Sequence, residues 1–179
     1  RPELSNLPID IKDRASWLFN PTISGIEAAD SILIIGSQPR YEGTLLDARI
    51  RKDWLSNKIP IARIGGGSKT SYDITELGNE TKILDKILKG EHSYNKILKK
   101  SNKPLFLLGQ NIFTRSDGLG ILGRIREIAK KYNGYSKSWN GIGILQPTAN
   151  IVGGLEIGFV PANKSLDTNA IIRSIVKGK

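Results

Sequence analysis

The chain has 179 residues, 39% of them hydrophobic, with 27 Lys and Arg against 17 Asp and Glu and a formal charge of +10. It contains no cysteine and a single histidine, His92, which excludes disulfides, thiolate metal sites and an imidazole cluster. Apolar runs are shorter than the ~18 residues that a membrane span needs, so we expect no direct membrane insertion.

The chain opens at Arg1 and has no methionine, so we expect a piece excised from a longer protein. Residues 1–16 are expected to form an irregular N-terminal segment. Residues 17–179 are expected to form a single α/β domain, since a chain of this size can bury roughly 70% of the surface that it exposes when unfolded.

Short apolar runs alternate with helical patterns along the whole chain, which is typical of a parallel sheet wrapped by helices. Strands are predicted at 31–36, 59–65, 104–109 and, more weakly, 141–145. Helices are predicted at about 20–30, 43–57, 82–90, 97–98, 117–132, 148–154 and 171–176. The predicted fold class is therefore α/β, with three layers, a mainly parallel sheet and helices on both faces, in the manner of a Rossmann fold.

Two helices carry clear packing signals. In helix 43–57 the apolar residues Leu46, Ile50 and Trp54 recur every four residues and mark one face. Helix 117–132 begins with three glycines that are expected to let it approach the sheet closely. These are Gly118, Gly120 and Gly123.

Ligands of open parallel sheets bind outside the carboxyl ends of the strands, where the strand order reverses. The loops that qualify are 36–43, 65–72, 109–117 and 146–150.

The stretch RIGGGSKT at 63–70 has the glycines and the lysine of a phosphate-binding loop. A Walker pattern, however, needs glycine directly before the lysine and another five positions earlier. Here Ser68 precedes Lys69, and Arg63 stands at the earlier position. The loop after the first strand has only one glycine, so the dinucleotide pattern G-x-G-x-x-G is also missing. We expect neither an ordinary nucleoside triphosphate site nor an ordinary NAD site.

No group of residues forms a convincing catalytic or metal site, and we predict neither. Ser116-Asp117-Gly118 is interpreted as a helix N-cap, and Arg49 with Asp53 as a surface ion pair. His92 is expected to be exposed. The tryptophans are interpreted as core or interface anchors. The three arginines around helix 43–57 are interpreted as solvated or paired, with an anion site as the alternative. These residues are Trp17, Trp54, Trp139, Arg40, Arg49 and Arg51.

The positive charge is concentrated in residues 82–103 and 115–137. Its lysines fall at solvent positions of the predicted helices, without interleaved aromatic residues. That pattern favours a solvated or partner-facing surface over a nucleic-acid site.

The stretch WLFNPTISGIEAADSILIIGSQPRYEGTLLDARIRKDWL at 17–55 resembles the large iron-sulfur subunit of respiratory complex I, also called its G subunit. The resemblance continues through 59–66, 72–84 and 103–109 and, less specifically, to about Pro161. It therefore covers most of the chain.

That large subunit in turn resembles molybdopterin-dependent oxidoreductases, in which strand-end motifs such as G-S/T-N-P and D-P-R help to hold a molybdopterin guanine dinucleotide. Gly36-Ser37-Gln38-Pro39 keeps the first motif approximately, with Gln38 where asparagine is usual. Gly65-Gly66-Gly67 replaces the aspartate-containing second motif. The resemblance implies that these seven positions are vestigial and that this part of the chain binds no cofactor.

The resemblance implies a noncatalytic structural domain of NADH-quinone oxidoreductase, the enzyme that transfers electrons from NADH to quinone and couples this to proton translocation. It also implies iron-sulfur clusters in an N-terminal part of the parent subunit and other peripheral-arm subunits as partners. The location would be the cytoplasmic side of the bacterial inner membrane or the matrix side of the mitochondrial one. Two alternatives stay open: a fragment of an active, formate dehydrogenase-like molybdopterin enzyme, and a basic nucleic-acid or nucleotide-binding module.

Overall fold

A computed structural model describes residues 13–146, 148–160 and 168–178. The strands are β1 (Ser31–Ile35), β2 (Ile61–Ile64), β3 (Thr75–Gly78), β4 (Pro104–Leu108), β5 (Tyr135–Ser136), β6 (Trp139–Asn140) and β7 (Ile142–Ile144). Five of them form a sheet in the order β3-β2-β1-β4-β7, in which all neighbouring pairs are parallel. β5 and β6 form a separate antiparallel hairpin.

Helices lie between the strands and after the last of them. They are α1 (Pro39–Glu42), α2 (Thr44–Asn57), α3 (Lys82–Lys89), α4 (Asn95–Leu98), α5 (Asn111–Thr114), α6 (Gly118–Lys131), α7 (Ala149–Glu156) and α8 (Thr168–Val176). Two short 3-10 helices, Arg14–Ser16 and Ser24–Ala28, precede β1. Residues 1–12 of the predicted irregular segment lie outside the described residues, and the division at residue 16 stays a prediction.

The central strand β1 is buried on both faces, and this is why it reads as a continuous apolar run. Successive side chains of a strand point to opposite faces of the sheet. Leu33 packs in one apolar cluster with Ile125 of α6, and Ile34 packs in the other with Ile50 of α2. Helices therefore lie on both sides of the sheet, and the predicted three-layer α/β fold class is confirmed.

The strands predicted at 31–36, 104–109 and 141–145 are confirmed as β1, β4 and β7, whereas the second strand is shorter than predicted. The predictions omitted β3 and the β5–β6 hairpin. At the start of the chain, the predicted helix at 20–30 is wrong in type and length, since the structure has a 3-10 helix, Ser24–Ala28. A helix cannot run through Thr22, whose φ is 65°.

The glycines of α6 behave differently from the prediction. A Cβ on Gly118 would collide with the carbonyl oxygen of Ile112 in α5, so its close neighbour is a helix and not the sheet. A Cβ on Gly123 would meet nothing within 4 Å. The buried face of α6 is instead formed by apolar residues such as Ile125 and Ile128.

The outer edge of β7 is covered by the chain segment before β1. Phe19 forms an antiparallel bridge with Gly143, Asn20 N donates to Ile142 O at 3.2 Å, and Ile144 N donates to Leu18 O at 3.2 Å. A Cβ on Gly143 would lie 2.8 Å from Cδ2 of Phe19, so glycine is required for this ring to lie over the strand. In the described part of the chain, no helix is long and apolar enough to cross a membrane.

Candidate functional site

The strand order reverses between β1 and β4, with β2 and β3 on one side of that pair and β7 on the other. Ligands of open parallel sheets bind at such a reversal, outside the carboxyl ends of the strands. The loops concerned are 36–38, after β1, and 109–112, after β4. We call the space between them the strand-end crevice.

Main-chain contacts close the floor of the strand-end crevice. Gly109 N donates to Ile35 O at 3.0 Å, and a Cβ on Gly109 would lie 2.7 Å from the carbonyl carbon of Gly36. Gly36 has a φ of 57°, and Cγ1 of Ile112 lies 3.1 Å from the point where a Gly36 Cβ would be. The floor of the crevice is therefore backbone packed on backbone, with an isoleucine side chain against it.

The motif Gly36-Ser37-Gln38-Pro39 leads into α1 and is bound by Glu42 of the same helix. Ser37 Oγ donates to Glu42 Oε2 at 3.1 Å, and Gln38 N donates to Glu42 Oε1 at 2.7 Å. Backbone N–H groups at a helix start are the donors that a helix offers to a phosphate. Here the Glu42 carboxylate accepts from the Gln38 N–H and from the Ser37 hydroxyl, so these two donors are engaged within the chain.

The triple glycine follows β2, and its third residue, Gly67, lies against the side chain of the buried Arg63. The Arg63 side chain is 5% exposed and forms an ion pair with Glu76 of β3. Arg63 Nε donates to Glu76 Oε1 at 2.9 Å, and both terminal nitrogens of Arg63 lie 3.3 Å from the Ser68 carbonyl oxygen. A Cβ on Gly67 would lie 2.7 Å from Arg63 Cζ, so the guanidinium occupies the space beside this glycine.

Residues 65–74, which we call the glycine loop, are tied to both neighbouring elements. Ser68 N donates to Gln38 Oε1 at 3.4 Å, which links the loop to the motif after β1. Tyr72 is buried, and its hydroxyl donates to Asp47 Oδ1 of α2 at 2.6 Å. Burial, together with this carboxylate, raises the pKa of Tyr72 above its usual value, so the phenol stays protonated and keeps donating.

The seven predicted vestigial positions follow the neighbouring strands β1 and β2, at the same edge of the sheet, and their loss of cofactor binding stays a prediction. The N–H of Gln38 is bound by Glu42, the floor between Gly36 and Gly109 is closed, and the guanidinium of Arg63 fills the turn after β2. A phosphate would have to displace these internal partners in order to bind.

A sequence profile of the molybdopterin oxidoreductase family matches residues 3–178. The chain belongs to the molybdopterin oxidoreductase family. The strand-end crevice lies within the part of the chain that this profile covers.

Curated relatives carry a more specific name. The chain is 40% identical over 151 residues to the NADH-quinone oxidoreductase G subunit of Rickettsia conorii, a match that covers 84% of this chain and 22% of that protein. It is 38% identical to the G subunits of Rickettsia prowazekii and Rickettsia typhi, in matches that cover 86% and 89% of this chain and 23% and 24% of those proteins. The chain therefore spans less than a quarter of the length of these relatives.

A solved structure supports the fold alone. The formyltransferase/hydrolase complex (FhcABCD) from Methylorubrum extorquens, crystallised with methylofuran, aligns with a TM-score of 0.62 at 14% sequence identity. The alignment covers 99% of this chain and 57% of that one.

The arginines of α1 and α2 do not converge in this member of the molybdopterin oxidoreductase family. Arg40 and Arg51 are exposed, and Arg49 NH1 forms an ion pair with Glu27 Oε1 at 2.6 Å. The predicted pair of Arg49 with Asp53 is wrong. Asp53 is buried and its Oδ1 accepts from Asn57 Nδ2 at 2.6 Å, while its Oδ2 finds no hydrogen-bond partner among the described residues.

Asp117, His92 and the tryptophans can also be compared with their predicted roles. Asp117 stands at the N-cap of α6 as predicted, but its carboxylate accepts from Arg115 at 2.6 and 2.7 Å and makes no side-chain cap, and this ion pair lowers the pKa of Asp117. His92 is half-buried, not exposed, and its Nδ1 accepts from Tyr94 N at 3.1 Å. The interpretation of the tryptophans as core anchors is confirmed for Trp17 and Trp139, which are buried, while Trp54 is half-buried.

The lysines of α3 and α4 are exposed, as the sequence predicts. Among the described residues, no three His, Cys, Asp or Glu side chains are grouped in a way that could hold a metal ion.

Sequence reasoning missed the two carboxylates that bind the strand-end donors. Glu42 lies four residues after Gln38, one position beyond the spacing of the capping box, so that motif would not have indicated the contact. Glu76 lies 13 residues after Arg63 and directly opposite it in the parallel register of β2 and β3. Only recognition of β3 as a strand would have indicated this second pair.

Proposed function

We propose that the chain is a noncatalytic structural domain of the large iron-sulfur subunit of NADH-quinone oxidoreductase. The similarity to the G subunits of three Rickettsia species supports this proposal, since each match covers at least 84% of the chain. The parent enzyme would transfer electrons from NADH to quinone. This part would hold the large subunit in place beside the electron-transfer path.

The observation that carries the noncatalytic part of the proposal is the internal engagement of the strand-end groups. A domain that works on a cofactor keeps its donors free for it, whereas here Glu42, Arg63 and the Gly36–Gly109 contact take up that space. The chain also contains no cysteine with which to bind an iron-sulfur cluster. We infer that the clusters of the parent subunit are held by other parts of it.

The partners would be other subunits of the peripheral arm of complex I. The exposed lysines of α3 and α4 offer a charged surface to them, in which case binding would weaken as ionic strength rises. The location would be the cytoplasmic side of the bacterial inner membrane or the equivalent matrix side of a mitochondrial membrane.

The metal content of the full-length parent subunit tests the proposal. Purified complex should contain iron and neither molybdenum nor tungsten when it is measured by inductively coupled plasma mass spectrometry. The control is a molybdopterin enzyme purified in parallel from the same cells. Stoichiometric molybdenum or tungsten in the complex would refute the noncatalytic assignment and favour the active molybdopterin oxidoreductase.

A further inference from the structure

We propose that the end of β2 is a guanidinium-binding pocket whose built-in ligand is Arg63, and that this ligand keeps the glycine loop folded over the strand ends. The proposal goes beyond the proposed function and does not depend on which complex contains the chain. It assigns the filling of the turn after β2 to one side chain, that of Arg63.

The pocket has the chemistry that a guanidinium requires. The Glu76 carboxylate supplies charge and accepts from Nε and a terminal nitrogen of Arg63, and the Ser68 carbonyl accepts from both terminal nitrogens at 3.3 Å. A planar fork of N–H donors matches such a set of oxygens, and a lysine ammonium would not reproduce it. Ligand and pocket are therefore complementary in charge and in shape.

Gly67 forms the remaining wall of the pocket. A Cβ at this position would lie 2.7 Å from Arg63 Cζ and 3.3 Å from its Nε, so a larger residue would have to push the guanidinium out. This contact explains why the third residue of the triple glycine is glycine even though its φ does not require it.

The pocket is closed towards the protein and open on one side. The Arg63 side chain is 5% exposed, whereas the Glu76 side chain is 48% exposed on the edge strand β3. A small cation in solution can thus reach the Glu76 carboxylate once the Arg63 side chain is removed.

Occupancy of the pocket is coupled to the position of the glycine loop. The Ser68 carbonyl binds Arg63, while the Ser68 N–H donates to Gln38 Oε1 at 3.4 Å. Without the guanidinium, Ser68 would be held to the loop after β1 by the long hydrogen bond from its N–H to Gln38. The loop should then open, which would free the turn after β2.

Chemical rescue tests the proposal on the full chain. Arg63→Ala should raise amide hydrogen exchange in the glycine loop by about tenfold or more, because hydrogen bonds to a charged group are lost. Methylguanidinium in the low millimolar range, with potassium chloride at equal ionic strength as the reference, should restore most of the protection. Arg51→Ala, which removes an exposed arginine, is the matched control and should show neither effect.

Further measurements distinguish the guanidinium pocket from a general effect of the substitution. Addition of Glu76→Gln to Arg63→Ala should abolish the rescue, since the pocket then lacks its charge. Unchanged loop exchange in Arg63→Ala, or equal effects of methylguanidinium on Arg51→Ala, would overturn the proposal. If Arg63→Ala does not fold, Arg63→Lys replaces it: faster exchange confined to the glycine loop supports the pocket, and wild-type exchange refutes it.

Discussion

Substitution of Gly109 by alanine should destabilise the fold, because this glycine stands where two strand-end loops touch. The new Cβ would lie 2.7 Å from both the Gly36 carbonyl carbon and the Ser37 Cα. Both neighbours are backbone, so they cannot rotate away as a flexible side chain would. The loops after β1 and β4 would have to separate at the centre of the sheet.

The expected loss in the free energy of unfolding follows from the cost of overpacking a closed core. Overpacking costs typically about 1–3 kcal/mol, and the backbone-to-backbone contact places Gly109→Ala at about 3 kcal/mol or more. For a chain of this size, each kcal/mol lowers Tm by roughly 2–4 °C, so a fall of about 6–12 °C is expected.

Thermal and urea unfolding, followed by circular dichroism, measure this effect. Gly123→Ala is the control, since its Cβ would meet nothing within 4 Å in the helix α6. Alanine in a helix interior is favoured over glycine by about 0.5–1 kcal/mol, so this variant should be slightly more stable than the wild type. A free energy of unfolding for Gly109→Ala within about 1 kcal/mol of the wild type would refute the closed floor of the strand-end crevice.

Two more substitutions test Asp53, whose predicted partner was wrong, and Lys69, the lysine of the loop that resembles a phosphate-binding loop. Burial, together with the nearby Glu27 carboxylate, raises the pKa of Asp53, so the ionised form of this side chain destabilises the fold. This loss of stability is absent below the usual Asp pKa of about 4 and grows as pH rises through the raised pKa. Asp53→Asn should therefore gain on the order of 1 kcal/mol at pH 7 and nothing at pH 3, and a loss of stability at pH 7 in urea unfolding would contradict this. Lys69 is exposed, and Lys69→Ala in the parent complex should leave NADH oxidation unchanged, whereas a large loss would mean that the glycine loop takes part in the chemistry.

The central elements could be predicted from the sequence because buried positions are occupied by apolar residues at the spacing of a strand or a helix. β1 and β4 are buried on both faces and appear as apolar runs, and the Leu46, Ile50 and Trp54 stripe marks one face of α2. β3 could not be found in this way. Its residues are mostly exposed at the sheet edge, and Thr75–Gly78 contains neither an apolar run nor a clear alternation.

The candidate site was predictable in place but not in detail. The rule for open parallel sheets located the loops after β1, β2 and β4, but the partners within them depend on tertiary contacts. Arg49 illustrates this, since a four-residue spacing predicted Asp53 as its partner and the fold supplies Glu27, 22 residues earlier. Arg63 is similar, because its partner lies on the unpredicted β3.

The bridge between Phe19 and Gly143 makes growth of the sheet one-sided. Backbone groups of β7 that point outward are bound by Leu18 and Asn20, so another strand could add there only by peeling this segment away. β3 is the other edge of the sheet. Three of the four residues of β3 are exposed, and its carboxylate, Glu76, is already bound by Arg63 of β2. In the described part of the chain, a strand could therefore add at β3 without displacing a segment that is already bound there, whereas at β7 it could not.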